Sequence, residues 1–162
     1  MRTSADPKIL LSPVHFLAFG FGSGLSPYAP GTCGTVVAVP LVWAIAQLGW
    51  WAHASFTVVA FIAGLYICGE SAKRLGVHDH SGIVWDEIVG FSVTMLAAPV
   101  TGPWLVAGFL LFRLFDIWKP WPIREADHSL SGGLGIMLDD VIAGLFAAAL
   151  LCAAEWSLNH GW

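Results

Sequence analysis

"IVWDEIVGFSVTMLAAPVTGPWLVAGFLLFRLFDIW" (residues 83–118) admits two readings. Its uncharged stretch from Ile88 to Phe112 could run as one apolar span, or it could break at "PVTGP" (99–103) into two helices. Two prolines and a glycine do not sit quietly inside a helix, because proline removes a backbone donor and clashes with the preceding turn. Charge gives the same answer. An unbroken span would carry Lys119 and Arg124 to the side of a membrane away from the other basic residues, against the rule that Lys and Arg gather on the cytoplasmic side. A broken pair returns Asp116 to the side where Asp86 and Glu87 begin.

The rest of the chain makes a membrane the right frame. Its 162 residues fit a single domain, residues 1–162. They are 57% hydrophobic and only 11% charged, with a mean hydropathy of +0.74. A soluble domain carries about 25% charged residues. Ile9 to Gly69 contains no charged residue, and Val141 to Ala154 is a further uncharged run. Stretches on this scale read as membrane-embedded. A net charge of −4 with no basic stripe excludes a nucleic-acid partner. Arg2 and Lys8 imitate the start of a signal peptide, but the Gly/Pro-rich apolar stretch after them is too long for one and reads as mature chain. Cys33, Cys68 and Cys152 are odd in number and lie in apolar surroundings, which suits small core residues and no disulfide framework.

The expected fold is all-α: a multihelical, polytopic membrane protein with about five apolar helical segments and a polar site on its cytoplasmic face. Residues 9–24 form an interfacial or short buried helix, and "GSGLSPYAPGTCG" (22–34) is a loop. The segments are Thr35–Trp51, His53–Cys68, Ile83–Ala98, Trp104–Trp118 and Val141–Trp156. All seven basic residues fall at the N-terminus, between the second and third segments, or around the connection from the fourth to the fifth. The same layout places Asp79, Asp86, Glu87, Asp116, Asp139 and Asp140 on the cytoplasmic side.

These acids are the candidate chemistry. Asp86 and Glu87 open the third segment, Asp116 sits among aromatics in "FRLFDIWKPW", and Asp139 and Asp140 open the last. A charge within a bilayer costs roughly 2.5–3.5 kcal/mol, so acids beside apolar runs need a compensating partner. A hard divalent cation suits them, and Mg²⁺ accepts carboxylates together with water and phosphate oxygens. The simpler account is that acids favour the first turn of a helix. It covers the two pairs but not Asp116, nor three acidic centres on one face. His78 and His80 flank Asp79 and are candidates for moving a proton, or for turn and capping roles. Lys119 and Arg124 bracket "PWPI" and can offset phosphate charge or anchor the interface. Arg113, three residues before Asp116, is placed to pair with it along a helix. "SGGLGIMLDD" (131–140) reads as a Gly-rich loop into a helix N-terminus, whose amides could meet phosphate or whose glycines could only permit close packing. "CGESAKR" (68–74) matches the Cys-x5-Arg spacing of thiolate phosphatases, but Glu70 would repel a phosphate there.

"GFGSGLSPYAPGTCGT", "GVHDHSGIVWDEIVG", "FRLFDIWKPWPI" and "GGLGIMLDDVIAG" together resemble the phosphatidylglycerophosphatase A family, in order and with compatible spacing from about His15 to Gly144. The resemblance implies a multi-pass enzyme of the bacterial inner membrane, facing the cytoplasm. It would be a Mg²⁺-dependent lipid phosphatase of phospholipid biosynthesis, taking the terminal phosphate from phosphatidylglycerophosphate to leave phosphatidylglycerol among the membrane lipids. On that reading Asp86, Glu87, Asp116, Asp139 and Asp140 hold one or two Mg²⁺ ions, His78, Asp79 or His80 manages the proton, and Lys119 and Arg124 hold phosphate oxygens. Water or an aspartate is the nucleophile. A small divalent-cation transporter or channel is the alternative, and would spread its acids through the membrane depth. Nothing in the sequence sets an oligomeric state.

Overall fold

A computed structural model describes residues 7–77, 80–121, 123 and 132–160, and every regular element among them is helical. A 3-10 turn at Pro7–Leu11 leads to α1 (Pro13–Ala18), followed by a second 3-10 stretch at Gly20–Leu25. Then come α2 (Pro30–Ala46), α3 (Trp50–Leu75), α4 (Trp85–Met95), α5 (Gly102–Trp118) and α6 (Gly132–His160). The break at 99–103 is present: α4 stops at Met95, and α5 begins with proline in its first turn, where the missing N–H has no helical acceptor to lose. At the end of α3, Gly76 takes the left-handed conformation (φ 69°), and the amides of Gly76 and Val77 bond back to the carbonyls of Lys73 and Ala72. This is the usual way a glycine closes a helix.

α4 is the centre of the bundle. It packs against α2, α3, α5 and α6, and buries Trp85, Ile88, Val89, Gly90, Phe91, Ser92, Thr94 and Met95. Eleven residues extend only about 16 Å. Beyond Asp86 and Glu87 in its first turn the helix is uncharged because its surroundings are protein. An apolar run reads alike whether lipid or a neighbouring helix covers it, and this corrects the expectation of about five membrane segments. Among the described residues two helices, α3 with 26 residues and α6 with 29, are long and apolar enough to cross a membrane. α2 and α5 have 17 residues each.

The boundaries shift too. α2 starts five residues before Thr35, and α3 extends past Cys68 to Leu75. The larger correction is α6, expected from Val141 but helical from Gly132. Its glycines are helix-crossing positions. A Cβ on Gly133 would run into the Leu65 carbonyl of α3, and one on Gly144 into the Gly90 carbonyl of α4. Thr94 Oγ1, 3.0 Å from Gly90 O and 3.4 Å from Gly144 O, ties the second crossing. Small residues let helix backbones approach this closely. Asp139 and Asp140 therefore sit about two turns inside α6, where a first-turn dipole preference no longer accounts for them.

Gly133→Val is expected to force α3 and α6 apart and cost at least about 1–3 kcal/mol, as overpacking does. The readout is the melting temperature in detergent, and a melting temperature equal to the parent's would show that the crossing tolerates a side chain.

The contacts give the bundle two unlike ends. Gly69 of α3 lies against Gly133 of α6, so the last turns of α3 meet the first turns of α6. Arg74 reaches Ser12 at 3.3 Å and His15 Nδ1 lies 2.8 Å from Ser71 Oγ, docking the N-terminal helices at the same end. At the opposite end Trp50 Nε1 donates to the carbonyl of Leu96, just past the end of α4. Trp50, Trp51 and Trp156 are exposed there, and Trp118 and Trp121 are exposed at the other end.

Candidate metal centre and phosphate cleft

Three helices bring charged groups to the first of these ends, and a fourth closes the wall. The first turn of α4 supplies Asp86 and Glu87, and the last two turns of α5 supply Arg113 and Asp116. Lys119 follows directly, and α6 adds Asp139 and Asp140. The N-terminus of α2 closes the wall with Ala29, Pro30 and Gly31. Together with His80 and Ser81 these residues line a cleft of about 250 Å³. All five acids expected as metal ligands that come from separate parts of the chain thus meet in one place. His78, Asp79 and Arg124 lie outside the described residues.

The five carboxylates divide into two kinds. Asp116 pairs with Arg113, three residues earlier on α5, as the spacing implies. Asp139 Oδ2 accepts a hydrogen bond from Lys119 Nζ at 2.7 Å. Asp86, Glu87 and Asp140 instead place a carboxylate oxygen each within 4.8 Å of one another. Arg113 Nη1 approaches Glu87 Oε1 only to 3.7 Å. Glu87 Oε2 and Asp140 Oδ2 are buried with no hydrogen-bond partner among the described residues, and Asp140 is 3% exposed. Among the described residues of the cleft, two cations stand against five carboxylates. Buried charge in such excess is met by protons or by a cation. All-oxygen donors on three side chains fit a hard divalent ion such as Mg²⁺ and do not favour Zn²⁺.

Two backbone features hold this arrangement. Lys119 closes α5 in the left-handed conformation (φ 45°), its amide bonded to Phe115 O at 2.8 Å. Ala29 takes the same conformation ahead of α2. Left-handed residues other than glycine cost energy and cluster at functional sites. Gly31 is the contribution that the sequence reading missed, having placed 22–34 in a loop. A Cβ there would meet Glu87 Oε1 and the Arg113 guanidinium. The available signal was Pro-Gly after "SPYA", proline at the first position of a helix.

His80 has a defined role in its turn. Its Nδ1 accepts the Gly82 N–H at 3.0 Å, and its ring lies 5.5 Å from that of Phe19. A neutral imidazole so engaged carries its proton on Nε2, as a hydrogen-bond donor. The Cys-x5-Arg match is a coincidence of spacing: Cys68 is buried with Sγ 3.7 Å from Met137 Sδ, while Arg74 bonds Glu70 at 2.7 Å. Cys33, Cys68 and Cys152 are free, and only Cys68 is buried.

The family model of phosphatidylglycerophosphatase A matches residues 16–155. Phosphatidylglycerophosphatase A of Escherichia coli K12 is 44% identical over 152 residues, covering 93% of this chain and 86% of that protein. The Haemophilus influenzae protein of the same name is 45% identical over 149 residues, covering 91% of each. A Bacteroides thetaiotaomicron relative carries the provisional name phosphatidylinositol-3-phosphatase and is 37% identical over 151 residues, covering 86% of this chain and 92% of its own. No solved structure matches the chain. None of these relatives is named as a transporter, and the cation-transport reading has no support from them.

Proposed function

The chain belongs to the phosphatidylglycerophosphatase A family and is a phosphoric monoester hydrolase, and from that premise we propose that it takes the terminal phosphate from phosphatidylglycerophosphate in a Mg²⁺-dependent reaction. The observation that carries the metal is the approach of carboxylate oxygens of Asp86, Glu87 and Asp140 within 4.8 Å, Glu87 Oε2 and Asp140 Oδ2 being buried with no hydrogen-bond partner among the described residues. These three residues would hold the ion, with Asp116 and Asp139 beside them. When bound, Mg²⁺ would supply positive charge to the phosphoryl group and acidify a water.

The remaining work falls to the chain. Arg113 and Lys119 present cationic N–H groups on the wall of the cleft and hold Asp116 and Asp139 in place. Arg124 joins them in holding phosphate oxygens. The His80 Nε2–H donates a hydrogen bond to an oxygen of the phosphoryl group, and proton transfer is left to His78 and Asp79. A water oxygen bonds to phosphorus as the bond from phosphorus to the glycerol oxygen breaks. That oxygen gains a proton, and the products are phosphatidylglycerol and inorganic phosphate.

The location follows from the same layout. α3 and α6 cross the bacterial inner membrane, and with α2 and α5 they enclose α4 in a multi-pass bundle. Tryptophans at both ends suit the two interfaces. Lys73, Arg74, Arg113 and Lys119 lie at the cleft end, which supports a cytoplasmic active site.

Protein purified in detergent is expected to release phosphate from phosphatidylglycerophosphate with Mg²⁺ and to stop with EDTA. Release untouched by EDTA would overturn the metal. Faster release from phosphatidylinositol 3-phosphate would overturn the substrate.

A further inference from the structure

An apolar groove of about 330 Å³ runs between α2 and α5 on the outside of the bundle. Val36, Val39 and Pro40 form one wall, and Leu105, Val106 and Leu110 the other. Its helices are the two that carry Gly31 and Arg113 into the phosphate cleft, and they run antiparallel, since the start of α2 meets the end of α5 there. The groove therefore begins about one turn beyond the charged residues. Pro40 lies nine residues from Gly31, about 14 Å along the helix, and Leu105 lies eleven from Asp116, about 16 Å. That depth is close to half of the ~30 Å hydrocarbon thickness of a bilayer.

We propose that this groove is the acyl-chain site of the lipid phosphate whose headgroup enters the cleft. The inference rests on the lipid-phosphatase reading and adds to it the place where the substrate's hydrocarbon is bound. A phosphomonoester seated beside Arg113 has its glycerol at the mouth of the cleft, and the groove continues from there into the membrane. Val36, Val106 and Leu110 are more than half exposed, so the chain enters sideways from the bilayer with no helix displaced. The groove offers no charged or polar side chain. It contributes affinity for methylenes and leaves headgroup choice to the cleft.

Val36→Trp and Leu110→Trp fill the groove from its exposed side, and neither residue lines the phosphate cleft. Each is expected to raise the apparent KM for a dipalmitoyl lipid phosphate about tenfold, the worth of two unburied methylenes. Hydrolysis of a water-soluble glycerol phosphomonoester should stay within about twofold of the parent under the same reasoning. An equal loss on both substrates, or on neither, would overturn the groove. A second measurement needs no turnover. A lipid phosphate with a diazirine in its acyl chain should label the peptides around Val36–Pro40 and Leu105–Leu110, and unlabelled lipid phosphate should compete while phosphatidylcholine does not. Labelling that phosphatidylcholine displaces equally overturns the site, as does labelling concentrated in the hollow lined by Val58, Phe61 and Val93 on the other side of the bundle. If the parent protein releases no phosphate while competed labelling persists, the groove stands and the proposed reaction fails.

Discussion

Asp140→Asn is expected to lower phosphate release by at least about 100-fold while making the metal-free protein more stable. Both effects have one cause. Asp140 is 3% exposed, its Oδ2 has no hydrogen-bond partner among the described residues, and it shares the cleft with four other carboxylates. Without a cation this is the costliest charge in the cluster. A neutral amide of the same shape removes repulsion and finds acceptors in Asp86 and Glu87, which is worth about 1–3 kcal/mol. With Mg²⁺ the order reverses. An ion present at about 100 times its dissociation constant stabilises the folded state by about 2.7 kcal/mol, or roughly 5–10 °C for a chain of this size. The parent should gain that shift and the variant should not. Melting curves in EDTA and in Mg²⁺, run beside the activity assay, separate the outcomes. A variant that loses activity but melts below the parent in EDTA would make Asp140 a packing residue. A parent whose melting temperature ignores Mg²⁺ would remove the metal site.

How much of this was legible in the sequence depended on whether the signal was local. The break at 99–103 was, because proline and glycine act on their own turn. So was the Arg113–Asp116 pair, set by helical spacing. The gathering of acids at one end followed from charge asymmetry along the chain, which needs no tertiary detail. What could not be read was the partner of each apolar face. α4 looks like a membrane segment in sequence because burial by helices and burial by lipid select the same residues. The glycine-rich stretch 132–135 looks like a loop because the reason for Gly133 lies 68 residues away, at the Leu65 carbonyl. Gly31 was missed on the same ground: its role is set by Glu87 and Arg113, neither of them near it in the chain. The division of five acids into two paired and three gathered also depends on which side chains face which, and spacing holds no record of that.

Arg113 should be the cation whose loss costs most. It is 14% exposed in its side chain, pairs with Asp116, and lies 3.7 Å from Glu87. Removing one partner of a buried ion pair leaves the other charge uncompensated and costs about 3–5 kcal/mol. Arg113→Met should therefore lower the melting temperature by roughly 6–20 °C in EDTA. The size of the loss alone would not separate electrostatics from packing, since the arginine stem also fills space. The double variant Arg113→Met with Asp116→Asn does. If stranded charge is the cause, the second substitution restores at least about half of the lost stability, because the carboxylate that needed the guanidinium is gone. If the stem's packing is the cause, the two losses add. Arg113→Lys sharpens the point from the other direction. An ammonium keeps the charge but lacks the planar fork that lets one side chain face Asp116 and Glu87 together. It should hold most of the stability and lose activity, because Glu87 is then no longer set toward Asp86 and Asp140. Full activity in Arg113→Lys would mean that the guanidinium only balances charge and does not orient the metal ligands.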